Sequence, residues 1–230
     1  MKTHALERVT GGVKNLYGCI SGLHKAKGHT KYTNADIFAR QLIDLNQLIK
    51  PRFCVMDGIV AMDGNGPTSG DPVKMKVLLL GNDPVAIDSV YCHLVHLDPQ
   101  MVPTNVHGEA MGLGTWREEN IRLLTDGGEI TMQEAVERFG NPDFNVDRKK
   151  QRGNLWNRFN NGFLRYFQKK PYIEEDKCKK CGICVEACPV EGKALQFKNG
   201  RRKPPVYNYH KCIRCFCCQE MCPHKAIQVK

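Results

Sequence analysis

Cys178-Lys179-Lys180-Cys181-Gly182-Ile183-Cys184-Val185-Glu186-Ala187-Cys188-Pro189 is the stretch whose reading decides the fold of the C-terminal region. It occurs twice. The second copy is Cys212-Ile213-Arg214-Cys215-Phe216-Cys217-Cys218-Gln219-Glu220-Met221-Cys222-Pro223. Each copy reads C-x2-C-x2-C-x3-C-P, with every cysteine 34 residues from its counterpart. Pro171 recurs as Pro205 at that offset, and Lys193-Ala194-Leu195 is echoed by Lys225-Ala226-Ile227 after a loop two residues shorter. Such a duplication predicts a small pseudo-twofold domain over residues 171–230.

The spacing has a geometric meaning. Three cysteines in one tight loop can reach three irons of a single 4Fe-4S cubane. The proline after the fourth cysteine stops the chain from continuing that loop. The run resembles that of bacterial two-cluster ferredoxins, in which the fourth cysteine ligates the other cluster. Two 4Fe-4S clusters are therefore expected. One would take Cys178, Cys181, Cys184 and Cys222, and the other Cys212, Cys215, Cys218 and Cys188. Zinc, which usually takes two separated C-x2-C pairs, suits this doubled run poorly. Crossed ligation would tie the halves together and let about 60 residues fold on a small core. Cys217 aligns with Ile183 and reads as a small apolar filler beside the second cluster. Two like halves predict two similar potentials.

Nine of the twelve cysteines lie in residues 178–222. That crowding fits metal ligation in a reducing compartment better than disulfides. Cys19, Cys54 and Cys92 are scattered and read as buried or half-buried free thiols. Met1-Lys2-Thr3-His4 lacks the apolar core of a signal peptide. No stretch approaches the roughly 20 apolar residues of a membrane helix. A cytoplasmic protein is expected. The formal charge of +10 falls to about +6 with two clusters bound.

Residues 1–146 read as an α/β domain. Asn34–Ile49 has helical spacing at Ile37, Phe38, Leu42, Leu45 and Leu48, with Thr33 or Asn34 as cap. Phe53–Met56, Val77–Leu80 and Ile121–Leu124 read as short strands. Asp83-Pro84 opens a further helix. Thr131–Phe139 is a short helix whose Glu134 completes a capping box. Alternating strands and helices predict a mostly parallel, helix-covered sheet. Residues 147–170 form a basic aromatic linker, with eight positive charges and no acid from Arg148 to Lys170. It reads as a connector packing its aromatics, as a docking surface for an acidic redox partner, or as a membrane-surface or nucleic-acid contact. The nucleic-acid reading is the least favoured.

Four polar, Gly-rich motifs stand out in residues 1–126: Lys2-Thr3-His4; Lys14-Asn15-Leu16-Tyr17-Gly18-Cys19; Asp57-Gly58-Ile59-Val60-Ala61-Met62-Asp63-Gly64-Asn65-Gly66-Pro67; and Asp83-Pro84-Val85-Ala86-Ile87-Asp88. They resemble the domain of unknown function 362, a family of uncharacterised prokaryotic proteins associated with iron–sulfur modules. The resemblance implies a longer portion before the Lys-Thr-His segment. The α/β domain is therefore expected to be N-terminally incomplete, with a separate chain as one source of the rest. Read physically, Lys14 and His4 can hold an anion, while Asp57, Asp63 and Asp88 can hold a metal or act as bases. Asn15 and Asn65 complete the pocket candidates. The bland readings stay open beside these: Asp83 as a helix cap, Asn65-Gly66-Pro67 as a turn, and His24 and His29 as solvated loop residues.

The expected fold is thus an α/β N-terminal domain plus a small α+β di-cluster ferredoxin-like domain. The leading expectation for function is single-electron transfer to or from a redox partner protein or the N-terminal domain. The alternatives are an oxidoreductase with its active site in the N-terminal domain, and a binding protein whose clusters are structural.

Overall fold

The computed structural model describes residues 1–20, 34–149, 169–198 and 200–229. Thr33, His24, His29 and linker residues 150–168 lie outside them. The chain divides into two units, Met1–Asp147 and Arg148–Lys230.

In the first unit, β1 (Lys2–His4) and β2 (Arg8–Thr10) form an antiparallel hairpin with Thr3 opposite Val9. A four-residue helix, α1 (Gly12–Asn15), follows. The longest helix among the described residues, α2 (Ala35–Ile49), starts where the Asn34 side chain accepts from Asp36 N. Next come β3 (Cys54–Gly58), β4 (Ala61–Asp63), β5 (Asp71–Val73) and β6 (Val77–Gly81). Helices α3 (Pro84–Leu94) and α4 (Pro103–Ala110) follow, then a hairpin of β7 (Leu123–Thr125) and β8 (Gly128–Ile130), and then α5 (Met132–Phe139). Asp83 caps α3 as expected, and α5 carries the full Thr131–Glu134 capping box.

The expectation of a mostly parallel sheet is corrected. One sheet runs β2-β1-β4-β5, and only its β1–β4 pairing is parallel, through Lys2 and Met62. β3 and β6 form a separate antiparallel ribbon with Met56 opposite Leu79. The chain between them runs through β4 and β5 with no helix, so nothing there supplies the crossover a parallel pair requires. The ribbon alternates with period two. Met56 and Val77 point into the core, while Val55, Leu78 and Leu80 are exposed.

Two cores hold the unit together. Met56, Val77, Ile87, Val90, Tyr91, Leu94, Met132 and Phe144 pack in one, with Tyr91 edge-on to Phe144 at 6.2 Å. Val13, Tyr17, Phe38, Leu42, Ile43 and Val85 pack in the other. Each such side chain contributes on the order of 1.5–3 kcal/mol by burial. The buried face of α2 is rotated from the one expected. Leu45 is half-buried, whereas Ile37 and Leu48 are 50% and 79% exposed. Asn46 takes a place on the buried face because its Nδ2 donates to Val13 O at 2.9 Å and Leu42 O at 2.7 Å. Cys92 is buried and Cys54 half-buried, but Cys19 is exposed, against expectation.

The second unit shows the sequence repeat in its backbone. β9 (Pro171–Ile173) pairs antiparallel with β12 (Ile227–Val229), and β10 (Leu195–Gln196) with β11 (Val206–Tyr207). The first strand of each half therefore pairs with the last strand of the other. Short helices α6 (Ile183–Glu186) and α7 (Cys217–Glu220) occupy matching positions. The left-handed residues match as well: Lys180 with Arg214, Gly182 with Phe216, and Lys193 with Lys225.

Candidate iron–sulfur centres

The interlocked strands and the two short helices bring the eight repeat cysteines into two sets. One hollow is lined by Cys178, Cys181, Cys184 and Cys222, with Ile173 and Ile227 among its apolar walls. A second is lined by Cys188, Cys212, Cys215 and Cys218, beside Tyr207 and Phe216. Each set takes three cysteines from one half and the fourth from the other. The left-handed residues at 180, 182, 214 and 216 fold the C-x2-C-x2-C loops back on themselves, which turns three successive thiols toward one point. Cys184, Cys188, Cys212 and Cys218 are buried; the other four are half-buried.

The thiols stand in a crowded, apolar setting. Burial, then the neighbours Cys222, Cys178 and Cys181, push the Cys184 thiol up to about 11. Burial also pushes Cys212 and Cys218 up. Four thiolates so placed repel one another, and a cationic core offsets that repulsion. Ala194 N donates to Cys188 Sγ at 3.3 Å, and the Tyr207 hydroxyl lies 3.2 Å from Cys218 Sγ. Among the described residues, no three His, Cys, Asp or Glu side chains converge as a site for a single metal ion. Buried soft ligands in fours, around a hollow rather than a point, fit a cubane cluster.

The N-terminal motifs meet one another in a different way. Thr3 Oγ1 donates to Gly64 O at 3.0 Å and accepts from Gly66 N at 3.1 Å, so the Lys-Thr-His strand is laced to the Asn65-Gly66-Pro67 turn. A side chain on Gly66 would run into Thr3. Asp88, reaching from α3, accepts from Gly12 N at 2.5 Å and Val13 N at 3.1 Å at the start of α1. Asp63 accepts from Asn145 N at 2.8 Å. Exposed Asp57 accepts from Ile59 N at 2.8 Å. His4 Nδ1 accepts from Leu6 N and Glu7 N, both at 3.1 Å, which closes the β1–β2 turn. Lys14 Nζ lies 6.0 and 5.9 Å from the Tyr17 and Phe38 ring centroids. Asn15 is exposed. In these contacts Asp63, Asp88 and His4 serve the backbone.

Residues 1–93 match the family model described as domain of unknown function DUF362. Residues 170–223 match that of the 4Fe-4S dicluster domain. The two matches bear out the expected pairing of a DUF362-like segment with a dicluster segment in one chain. Over 133 residues it is 39% identical to a thylakoid-associated protein of Synechocystis sp., a match covering 57% of this chain and 41% of that protein. The chain thus spans about two fifths of the length of the curated relative it matches. No solved structure matches it. Among the described residues, no helix is long and apolar enough to cross a membrane.

Two residues escaped the reading of the sequence. In the first unit, Glu7 is fully buried, and neither of its carboxylate oxygens has a hydrogen-bond partner among the described residues. Burial raises its pKa to about 8, against the opposing charge of Lys14. Nothing in Leu6-Glu7-Arg8 announces a buried acid. In the dicluster domain, Tyr207 reaches a predicted ligand. Its signal was present in the repeat, where the counterpart is Ile173, and the alignment of the halves passed over it.

Proposed function

We propose that this chain is an electron-transfer protein whose dicluster domain holds two 4Fe-4S clusters. Cys178, Cys181, Cys184 and Cys222 hold one, and Cys212, Cys215, Cys218 and Cys188 the other. The observation that carries this reading is the sorting of the eight thiols into two hollows, each closed by a cysteine of the opposite half. When bound, a 4Fe-4S cluster supplies one-electron oxidation and reduction. The cysteines bind the irons and join the halves. Ile173, Ile227, Tyr207 and Phe216 exclude water from the hollows, and low solvent exposure is one of the levers on potential. Donor and acceptor are redox proteins or the DUF362 module, in a reducing compartment such as the cytoplasm. The basic charge of the chain favours an acidic partner.

The iron and acid-labile sulfide content of protein purified without oxygen tests this. About eight of each per chain is expected for two such clusters. Cys178→Ser and Cys222→Ser should lose the same paramagnetic signal on reduction, and Cys188→Ser and Cys212→Ser the other. Zinc without sulfide would overturn the reading. Loss of one signal by both Cys178→Ser and Cys188→Ser would overturn the crossed ligation.

An oxidoreductase centred on the DUF362 module is the second reading. It is favoured by Glu7, a buried acid with no hydrogen-bond partner on its carboxylate among the described residues and with the Lys14 charge acting on it. Glu7 is placed to take or give a proton near neutral pH.

A further inference from the structure

The two halves of the dicluster domain differ where they face the thiol sets. The Tyr207 hydroxyl lies 3.2 Å from Cys218 Sγ. A metal-bound thiolate carries no proton, so the phenol is the donor. The residue 34 positions earlier, on the wall of the other hollow, is Ile173. A protic side chain thus addresses one set of ligands, and its counterpart is aliphatic. Basic residues favour the other hollow, whose walls include Lys179, Lys180 and His224 where the counterparts are Ile213, Arg214 and Val190, but Lys179 and His224 are exposed and their charge is screened by solvent. Lys180 and Arg214 occupy equivalent left-handed positions.

Tyr207 is held for this contact. Its ring stacks on Tyr209 at 5.4 Å and 14°, and its backbone pairs with Leu195. The Tyr209 hydroxyl donates to Pro171 O at 2.8 Å. The counterpart of Tyr209 is Glu175, so the aromatic pair belongs to one half alone.

We infer that Tyr207 makes the Cys188, Cys212, Cys215 and Cys218 site the more easily reduced of the two, so that its midpoint potential lies above that of its twin. Reduction adds one negative charge, part of which falls on the ligand sulfurs. A donor aimed at such a sulfur stabilises the reduced form more than the oxidised one, and hydrogen bonds to cluster sulfurs are established determinants of potential. The apolar surroundings strengthen the effect. An electron entering the domain settles at this site, and a second one occupies its twin. The similar potentials expected from like halves give way to a downhill pair. This inference rests on the two-cluster reading above.

The test is a reductive titration of the whole iron-loaded chain followed by electron paramagnetic resonance, with iron and sulfide counted for every variant. The wild type is expected to show two resolved midpoints. Tyr207→Phe should lower the upper one and leave the lower in place. Coincident midpoints in the wild type would overturn the inference, as would a Tyr207→Phe variant with both midpoints unmoved. If iron and sulfide are about eight in such a failure, the two-cluster reading survives it. Clearly fewer in the wild type would sink that reading and the inference together.

Discussion

Glu7 and Asp88 show how burial alone can set the chemistry of a carboxyl group. Burial raises Glu7 to about 8, and raises Asp88 to about 7 even though Gly12 N and Val13 N donate to it. Between an unfolded pKa of roughly 4 and those folded values, the native chain holds protons that the unfolded chain has released. The stability they confer is complete below about pH 4 and is lost as pH rises through about 7 to 8. The urea midpoint of the first unit should therefore fall between pH 5 and pH 8.5. Glu7→Gln, which cannot ionise, should flatten that fall by an amount on the order of a few kcal/mol at the alkaline end. An unchanged slope would show that Glu7 is ionised throughout. At this scale the grouping of the eight repeat cysteines around two hollows was legible, because spacing constrains which thiols can meet. Glu7 was not, because its burial depends on chain far from it in sequence.

The helices and turns were legible wherever the signal was local. Asp83 accepts from Val85 N at 2.8 Å and Ala86 N at 2.9 Å, which is what an Asp-Pro helix start predicts. It also accepts from Thr115 N at 2.9 Å, a tertiary contact no local rule foresees. Asp83→Ala should therefore cost about 1–2 kcal/mol in chemical denaturation, while Asp83→Asn, which can still cap, should cost less. Gly66 makes a similar point in a turn. A methyl group there meets the Thr3 backbone, so Gly66→Ala should destabilise by about 1–3 kcal/mol. A neutral result would mean that the strand and the turn separate freely. Pairing direction was not legible. Phe53–Met56 and Val77–Leu80 were recognised as strands, but nothing within either states that they run antiparallel to each other.

At the scale of the molecule, the two units draw on different sources of stability. Met1–Asp147 has two apolar cores, whereas the dicluster region has only small clusters built partly from its own cysteines. Where ligands are supplied by folding, metal binding is folding free energy. Chelation of iron from the anaerobic protein should therefore unfold the dicluster region and leave a cooperative thermal transition for the first unit. One transition lost as a whole would show that the units fold as one. The amino-acid sequence by itself determined the inventory: the duplicated thiol loops, the turns that shape them, and the starts of α2, α3 and α5. These follow from covalent spacing and from backbone preferences that act over a few residues. Only the tertiary structure decided which face of α2 is buried and that β3 meets β6 antiparallel. It alone gave Asp63, Asp88 and His4 their backbone partners, and set a tyrosine against one thiol set and an isoleucine against the other. Each of those outcomes depends on burial and on partners dozens of residues away, where local rules carry no information.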